Sequence, residues 1–231
     1  MVQMLRTIKS FVTRTGRVSN RQQYALDNWL QNYELPLDGN QLNMPEIFGR
    51  EADTVVEIGF GMGASLYTTA SCHPESNFIG IEVHRAGVGS LAADLHDNGM
   101  TNVRLVASDA VDVFKQHLNN NSIAGVQIFF PDPWHKKKHN KRRLIQPGFV
   151  ELIVQKLVPG GFIHCATDWE EYAIHMMDVL SSEPALYNSQ SDGGYSPRPE
   201  SRPETKFERR GKRLGHGVWD LIYYKHESSA E

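Results

Sequence analysis

The residues best suited by type and spacing to do chemistry are Phe130-Pro131-Asp132-Pro133-Trp134, followed at once by His135-Lys136-Lys137-Lys138-His139-Asn140-Lys141-Arg142-Arg143. The two prolines fix their own φ and exclude helical backbone at the residue before each. Asp132 is therefore held in a stiff, non-helical turn. Six of the nine residues from 135 to 143 are Lys or Arg. A rigid carboxylate beside a dense cationic stretch suits chemistry performed next to a polyanion. The plainer alternative is a proline turn followed by a solvated charge run.

A second chemical signal is Glu57-Ile58-Gly59-Phe60-Gly61-Met62-Gly63, an E-x-G-x-G-x-G turn. Glycines there let the backbone approach a ligand closely, although glycine turns also occur for steric reasons alone. Glu82 follows Gly63 by 19 residues, close to the spacing of a carboxylate that binds ribose hydroxyls. A nicotinamide dinucleotide and S-adenosylmethionine both fit that much. Charge separates them. A pyrophosphate at this turn would face Glu57, and two like charges about 4 Å apart near a surface repel by about 4 kcal/mol. S-adenosylmethionine has no phosphate and carries a sulfonium and an ammonium against one carboxylate, so an acidic cleft attracts it. A dehydrogenase is disfavoured for the same reason.

Five strand–helix units must position these groups. The expected strands are 54–58, 77–81, 103–106, 126–130 and 162–166. The expected helices are 64–72, 86–98, one from 110 through Leu118, one from Pro147 to Leu157 ended by Pro159-Gly160-Gly161, and one capped by Asp168. Upstream, residues 21–33 read as a helix behind a Ser19/Asn20 cap, and 35–45 as a linker marked by Pro36, Gly39 and Pro45. Downstream, 185–188 and 218–224 read as two strands with no long helix between them, an antiparallel hairpin at one edge. Repeated β-α units imply a doubly wound parallel sheet, with ligands outside the carboxyl ends of its strands. Each of the five strands ends in an acid: Glu57, Glu82, Asp109, Asp132 and Asp168. Asp109 also suits the N-cap of the helix after it.

At 231 residues the chain suits one domain with extensions. The composition divides it into a basic arm, helix and linker over 1–45 and a domain over 46–231. No run of about 18 apolar residues is present, so no membrane span is expected. Cys72 and Cys165 have no metal-ligand spacing, which argues against a structural zinc site or a disulfide scaffold and suits a reducing compartment. Net charge is −3 but strongly segregated. Segments 1–21, 136–143 and 206–213 hold 16 of the 24 basic residues and one of the 27 acidic ones. An acidic body with three cationic patches is the footprint of a nucleic-acid binder. The N-terminal patch reads as an RNA-contacting arm, with an organelle transit peptide as the alternative.

These motifs resemble the bacterial tRNA (guanine-N7)-methyltransferases. The similarity rests on Lys9-Ser10-Phe11-Val12 with Gly16-Arg17, the glycine turn, Gly80-Ile81-Glu82-Val83-His84, the proline–aspartate turn with its basic run, and Thr205-Lys206-Phe207-Glu208. The resemblance implies an α/β fold: a doubly wound, mostly parallel seven-stranded Rossmann-like methyltransferase sheet with an antiparallel edge hairpin. It implies S-adenosylmethionine bound by Glu57, Gly59, Gly61, Gly63, Glu82, Asp109 and Asp132, with Asp132 catalytic. It implies that Lys136, Asp168, Thr205, Lys206, Phe207 and Glu208 bind the substrate, and that Lys138, His139, Asn140, Lys141, Arg142 and Arg143 contact RNA. The partner would be tRNA, with no metal and no membrane, in a cytoplasmic monomer or homodimer. A non-enzymatic RNA-binding protein on a degenerate methyltransferase fold is the alternative, opposed by the intact glycine turn and strand-end acids.

Overall fold

Short β-rich runs between glycine and proline signals fold as β1 (Thr54–Ile58), β2 (Asn77–Ile81), β3 (Val103–Val106), β4 (Ile123–Phe129), β5 (Leu157–Thr167), β6 (Leu186–Asn188) and β7 (Trp219–Lys225). The computed structural model describes residues 9–12, 16–35, 37–204, 208–209 and 217–227. The strands make one seven-stranded sheet in the order β3-β2-β1-β4-β5-β7-β6. The first five are parallel, and β7 runs antiparallel to β5 and β6. The edge strand β3 is itself partnered: Leu105 accepts from Leu35 N–H and donates to the Tyr33 carbonyl, each at 2.9 Å.

Side chains of a strand alternate between faces, and both faces here are apolar. Val56, Ile58, Ile79, Ile81, Val126 and Ile128 pack in one core. Helices α5 (Ala110–Gln116), α6 (Pro147–Lys156) and α7 (Glu170–Ser181) contribute Phe114, Ile153 and Met176 to it. Val55, Phe78, Val103 and Leu105 point the other way into a second core. There α1 (Asn20–Asn28), α3 (Ala64–Cys72) and α4 (Arg85–Asp97) supply Ala25, Leu66 and Leu91. Strand order reverses between β1 and β4, which opens a crevice beyond their carboxyl ends.

Three expectations change. Residues 35–45 do not form a plain linker, because α2 (Met44–Phe48) starts there with Pro45 in its first turn, where a missing N–H costs nothing. Pro159-Gly160-Gly161 does not end α6; these residues lie within β5, at a shift of the β4–β5 register between Ile123 and Gly125. The cap of α7 is Trp169 rather than Asp168, with no side-chain cap bond. Ser19 does cap α1, in a reciprocal capping box with Gln22. The compositional boundary at 45 is no boundary in space: Ala25 and Tyr33 belong to one sheet core, and Leu35, Leu42 and Met44 to the other.

Candidate active site

A cavity of about 310 Å³ lies at the strand ends, with Gly59, Gly61, Glu82, Asp109, Phe130 and Asp132 in its wall. The glycine turn reaches it in left-handed backbone, with φ of 75° at Gly59, 59° at Gly61 and 89° at Gly63. Glu82 is gripped by main chain: Gly61 N–H donates to Oε2 at 2.9 Å, and the Val83 and His84 N–H groups donate to Oε1 at 2.7 and 2.9 Å. His84 Nδ1 also lies 2.9 Å from Oε1. Asp109 does two things. Its Oδ1 accepts from Val111 N–H at 3.0 Å as the N-cap of α5, while Oδ2 takes the Lys9 ammonium at 2.7 Å. That hydrogen bond holds the Lys9 ammonium above its ordinary range.

Glu57 stands behind this wall, 2% exposed, beside Gln127 in the β1–β4 register. Burial pushes its carboxyl up to about 8, against a smaller opposing pull from the Ser65 hydroxyl. Glu57 Oε2 and Gln127 Oε1 are both buried without a hydrogen-bond partner. At neutral pH the raised Glu57 carboxyl is largely neutral, so the repulsion argued from an ionised Glu57 falls away. The acidity of the cleft rests on Glu82, Asp109 and Asp132. Gly63 is also off the wall and serves as the N-cap of α3.

Asp132 is exposed at the apex of its turn. The residues bracketing the prolines are left-handed, Phe130 at φ 51° and Trp134 at φ 49°, which is costly for bulky aromatics. Neighbours hold both. Phe130 N–H donates to the Ala166 carbonyl at 2.8 Å, and Trp134 Nε1 donates to the Ser10 carbonyl at 3.0 Å. The Arg142 guanidinium lies 3.9 Å from the Trp134 ring centroid and donates to the carbonyls of Lys9 and Phe11. Trp134 is therefore packed under the turn. A second cavity of about 470 Å³ adjoins the first, lined by His84, Asp132, Trp134, His135 and Lys136 among others. Asp132 and His84 are in the walls of both.

The basic run folds as a 3-10 turn, Lys137–Arg142. Lys136, Lys137, Lys138 and Lys141 are exposed. Arg143 is not among the outward cations. It is buried, donates to the Pro133 carbonyl at 2.9 Å, pairs with Glu171 at 3.3 Å and lies over the Tyr172 ring. Asn140 donates to the same Glu171 carboxylate at 3.3 Å. Desolvation, together with Lys138, Lys136, Arg142 and Lys141, holds His139 below its ordinary range.

Asp168 is half-buried after β5 and lies in neither cavity wall. Glu208 is buried, with Oε2 accepting from Arg202 at 2.6 Å. Thr205, Lys206 and Phe207 lie outside the described residues, as do residues 1–8 and 13–15 of the basic arm. Sequence reasoning gave no cavity role to Ser10, Phe11 or His84, which line the walls. In the described part of the N-terminal patch, Ser10 and Phe11 line the cavity and Lys9 bonds its wall residue Asp109. Nor did sequence reasoning single out Arg202, although unpaired polar positions in two apolar strands, His164 and Asp220, signalled a missing buried partner.

A doubly wound sheet with a glycine turn and an acid-lined crevice at its switch point fits the Rossmann-like S-adenosylmethionine-dependent methyltransferases. Residues 51–221 match the family model described as "Putative methyltransferase". The solved structure of a 16S rRNA methyltransferase, KamB, is similar at a TM-score of 0.60 and 14% identity, covering 79% of this chain and 92% of that one. An S-adenosylmethionine-dependent O-methyltransferase from Thermotoga maritima reaches 0.51 at 14% identity, over 83% and 69%. These two share the fold. A tRNA (guanine-N(7)-)-methyltransferase of Legionella pneumophila (strain Corby) is 64% identical over 224 residues, 96% of this chain and 100% of the relative. One from Hydrogenovibrio crunogenus is 54% identical over 218 residues, 94% and 91% of the two chains. The chain belongs to the tRNA (guanine-N(7)-)-methyltransferase family.

Proposed function

We propose that the protein methylates N7 of a guanosine in the variable loop of tRNA, with S-adenosylmethionine as donor. The observation that carries this reading is Asp132, exposed on the wall common to two adjoining cavities. The chemistry of the first cavity fits the donor. Glu82 is a carboxylate pre-aligned by main-chain N–H groups for ribose hydroxyls, and Asp109 suits an exocyclic amino group. Glu57 keeps a buried, unpartnered oxygen beneath the glycine turn for an ammonium. When bound, S-adenosylmethionine supplies a methyl group already activated by a sulfonium.

The protein's own task is then placement. Guanine N7 has a free in-plane lone pair and no proton to lose, so no general base is required. Asp132, stiffened by Pro131 and Pro133, fixes the approach of the base from the second cavity and favours positive charge moving onto the purine. Lys137, Lys138 and Lys141 face outward to phosphates, while Lys136 lines the second cavity. Asp168 or Glu208 is the carboxylate proposed to read the guanine N1–H and amino edge, with Thr205 to Phe207 binding the substrate; Asp168 is the more exposed of the two, and Glu208 is held by Arg202. Family membership and a cleft lined by Glu82, Asp109 and Asp132 favour an enzyme over an RNA-binding relic.

The test is to incubate tRNA with enzyme and isotopically labelled donor and identify the modified nucleoside by mass. Labelled 7-methylguanosine is expected, and label in another nucleoside would overturn the assignment. Asp132→Asn should lower turnover about 10²–10³-fold with donor affinity within a few-fold, the usual scale for one electrostatic group. Near-normal turnover would remove Asp132 from the catalytic role.

A further inference from the structure

Arg202 lies in neither cavity wall and is 1% exposed, yet its guanidinium is fully engaged. Nε and Nη2 form a fork on Asp220 of β7, at 2.6 Å to Oδ1 and 2.8 Å to Oδ2. Nη1 donates to Glu208 Oε2 at 2.6 Å. His164 of β5 reaches the same Asp220 Oδ1 through Nε2 at 2.7 Å. Burial alone would raise the Asp220 carboxyl, but hydrogen bonds from His164 and Arg202 hold it below the ordinary range. The guanidinium also sits over two aromatic rings at the end of β4, 6.0 Å from the Phe129 centroid and 5.7 Å from that of Phe130. The Phe129 ring meets His164 edge-on at 4.9 Å.

Stability is a poor explanation for such a cluster. Well-packed apolar residues of similar volume often do as well as a buried ion network. What the cluster holds is more telling. Phe130 is the left-handed residue immediately before Pro131-Asp132, and a strained backbone of this kind persists only where its surroundings over-determine it. The Arg202 guanidinium lies over that ring and also holds the Glu208 carboxylate.

We propose that Arg202 is a positioning residue for methyl transfer, clamping the Phe129–Phe130 end of β4 so that Asp132 stands at the angle the reaction needs. The inference rests on the catalytic reading of Asp132. Lysine keeps the charge at this position but lacks the planar fork that grips Asp220.

The test compares Arg202→Lys, Asp220→Asn, Asp132→Asn and the Arg202→Lys/Asp132→Asn double variant in the full-length protein. Donor affinity is measured by calorimetry, folding by thermal melts, and kcat and KM with tRNA. Arg202→Lys should bind donor within about twofold of the parent and keep KM within about threefold, while kcat falls at least tenfold. Asp220→Asn should give the same split, and it carries the test should Arg202→Lys fail to fold. In the Asp132→Asn background Arg202→Lys should cost less than twofold more, because one route is already lost. A folded Arg202→Lys with parental kcat, or losses that multiply in the double variant, overturns the positioning role. If Asp132→Asn turns over normally while Arg202→Lys does not, the catalytic reading of Asp132 fails and takes this route with it.

Discussion

The two flanks of Asp132 handle charge in opposite ways. On the cavity side, Glu82 and Asp109 are tied to main-chain N–H groups, and Lys9 completes Asp109. On the other side, Lys136, Lys137, Lys138 and Lys141 stand in solvent, while Arg142 and Arg143 of the same run turn back into the protein. The difference teaches how a small ligand and a polyanion are each recognised. A small ligand needs acceptors whose geometry is set before it arrives. Phosphates along a backbone can be met by any exposed cation, and in this run the side chains left in solvent are the lysines, while the arginines are engaged with the turn. The run therefore contains two kinds of residue under one charge: lysines that stand in solvent, proposed to meet the polyanion, and arginines that build the turn.

Four changes would break or sharpen that contrast. The largest effect is expected from reversing Lys137, Lys138 and Lys141 to Glu. The tRNA dissociation constant should rise by about a hundredfold or more, and the log–log salt slope should flatten by about 1 per lost phosphate contact. Donor affinity should not move, and an unchanged slope would return the lysines to idle surface. Next, Arg143→Ala should cost about 2 kcal/mol in denaturant unfolding, because it strips a buried donor from the Pro133 carbonyl and a cation from the Tyr172 face. A loss of tRNA affinity at full stability would instead make Arg143 a phosphate ligand.

The third concerns Glu57. Its folded carboxyl titrates near 8 against an ordinary 4.5, so protons favour the folded state. This contribution is complete below about 4.5 and is lost as pH rises through about 8. Each tenfold change in proton affinity is about 1.4 kcal/mol. Unfolding free energy should therefore fall by roughly 3.5 kcal/mol more between pH 5 and pH 8 in the parent than in Glu57→Gln. Parallel pH curves would show that Glu57 ionises freely. The smallest effect belongs to Lys9→Ala. The ammonium is nearly half exposed, so the pair is worth about 0.5 kcal/mol or less. Freeing Asp109 Oδ2 should tighten donor binding by about two- to threefold in calorimetry. Weaker binding would mean that Lys9 itself holds the donor.

Much of the scaffold was legible because its signals are local. β1, β2, β3 and α3 begin or end where apolar runs meet glycine, asparagine or proline. The same vocabulary misled where a residue had a second use. Pro45 marked a linker but starts a helix, and Pro159-Gly160-Gly161 marked a helix end but lies within β5, where the register shifts against β4. The acids of the site were legible as strand ends, but their protonation was not. Glu57 and Glu82 look alike in sequence; one is buried beside an unpartnered glutamine, the other wrapped in backbone donors. Arg202 was hidden because its partners Glu208 and Asp220, and His164 behind Asp220, come from separate stretches that no spacing rule connects.

The margins of the sheet carry one more consequence. On one side the Leu105 backbone is already taken by Tyr33 and Leu35, and on the other the terminal strand is only three residues, Leu186–Asn188. Among the described residues, an intruding chain thus finds no long row of vacant amides to zip onto at either border. Self-templated fibre growth is discouraged by construction, while the crevice at the strand tips stays open for cargo.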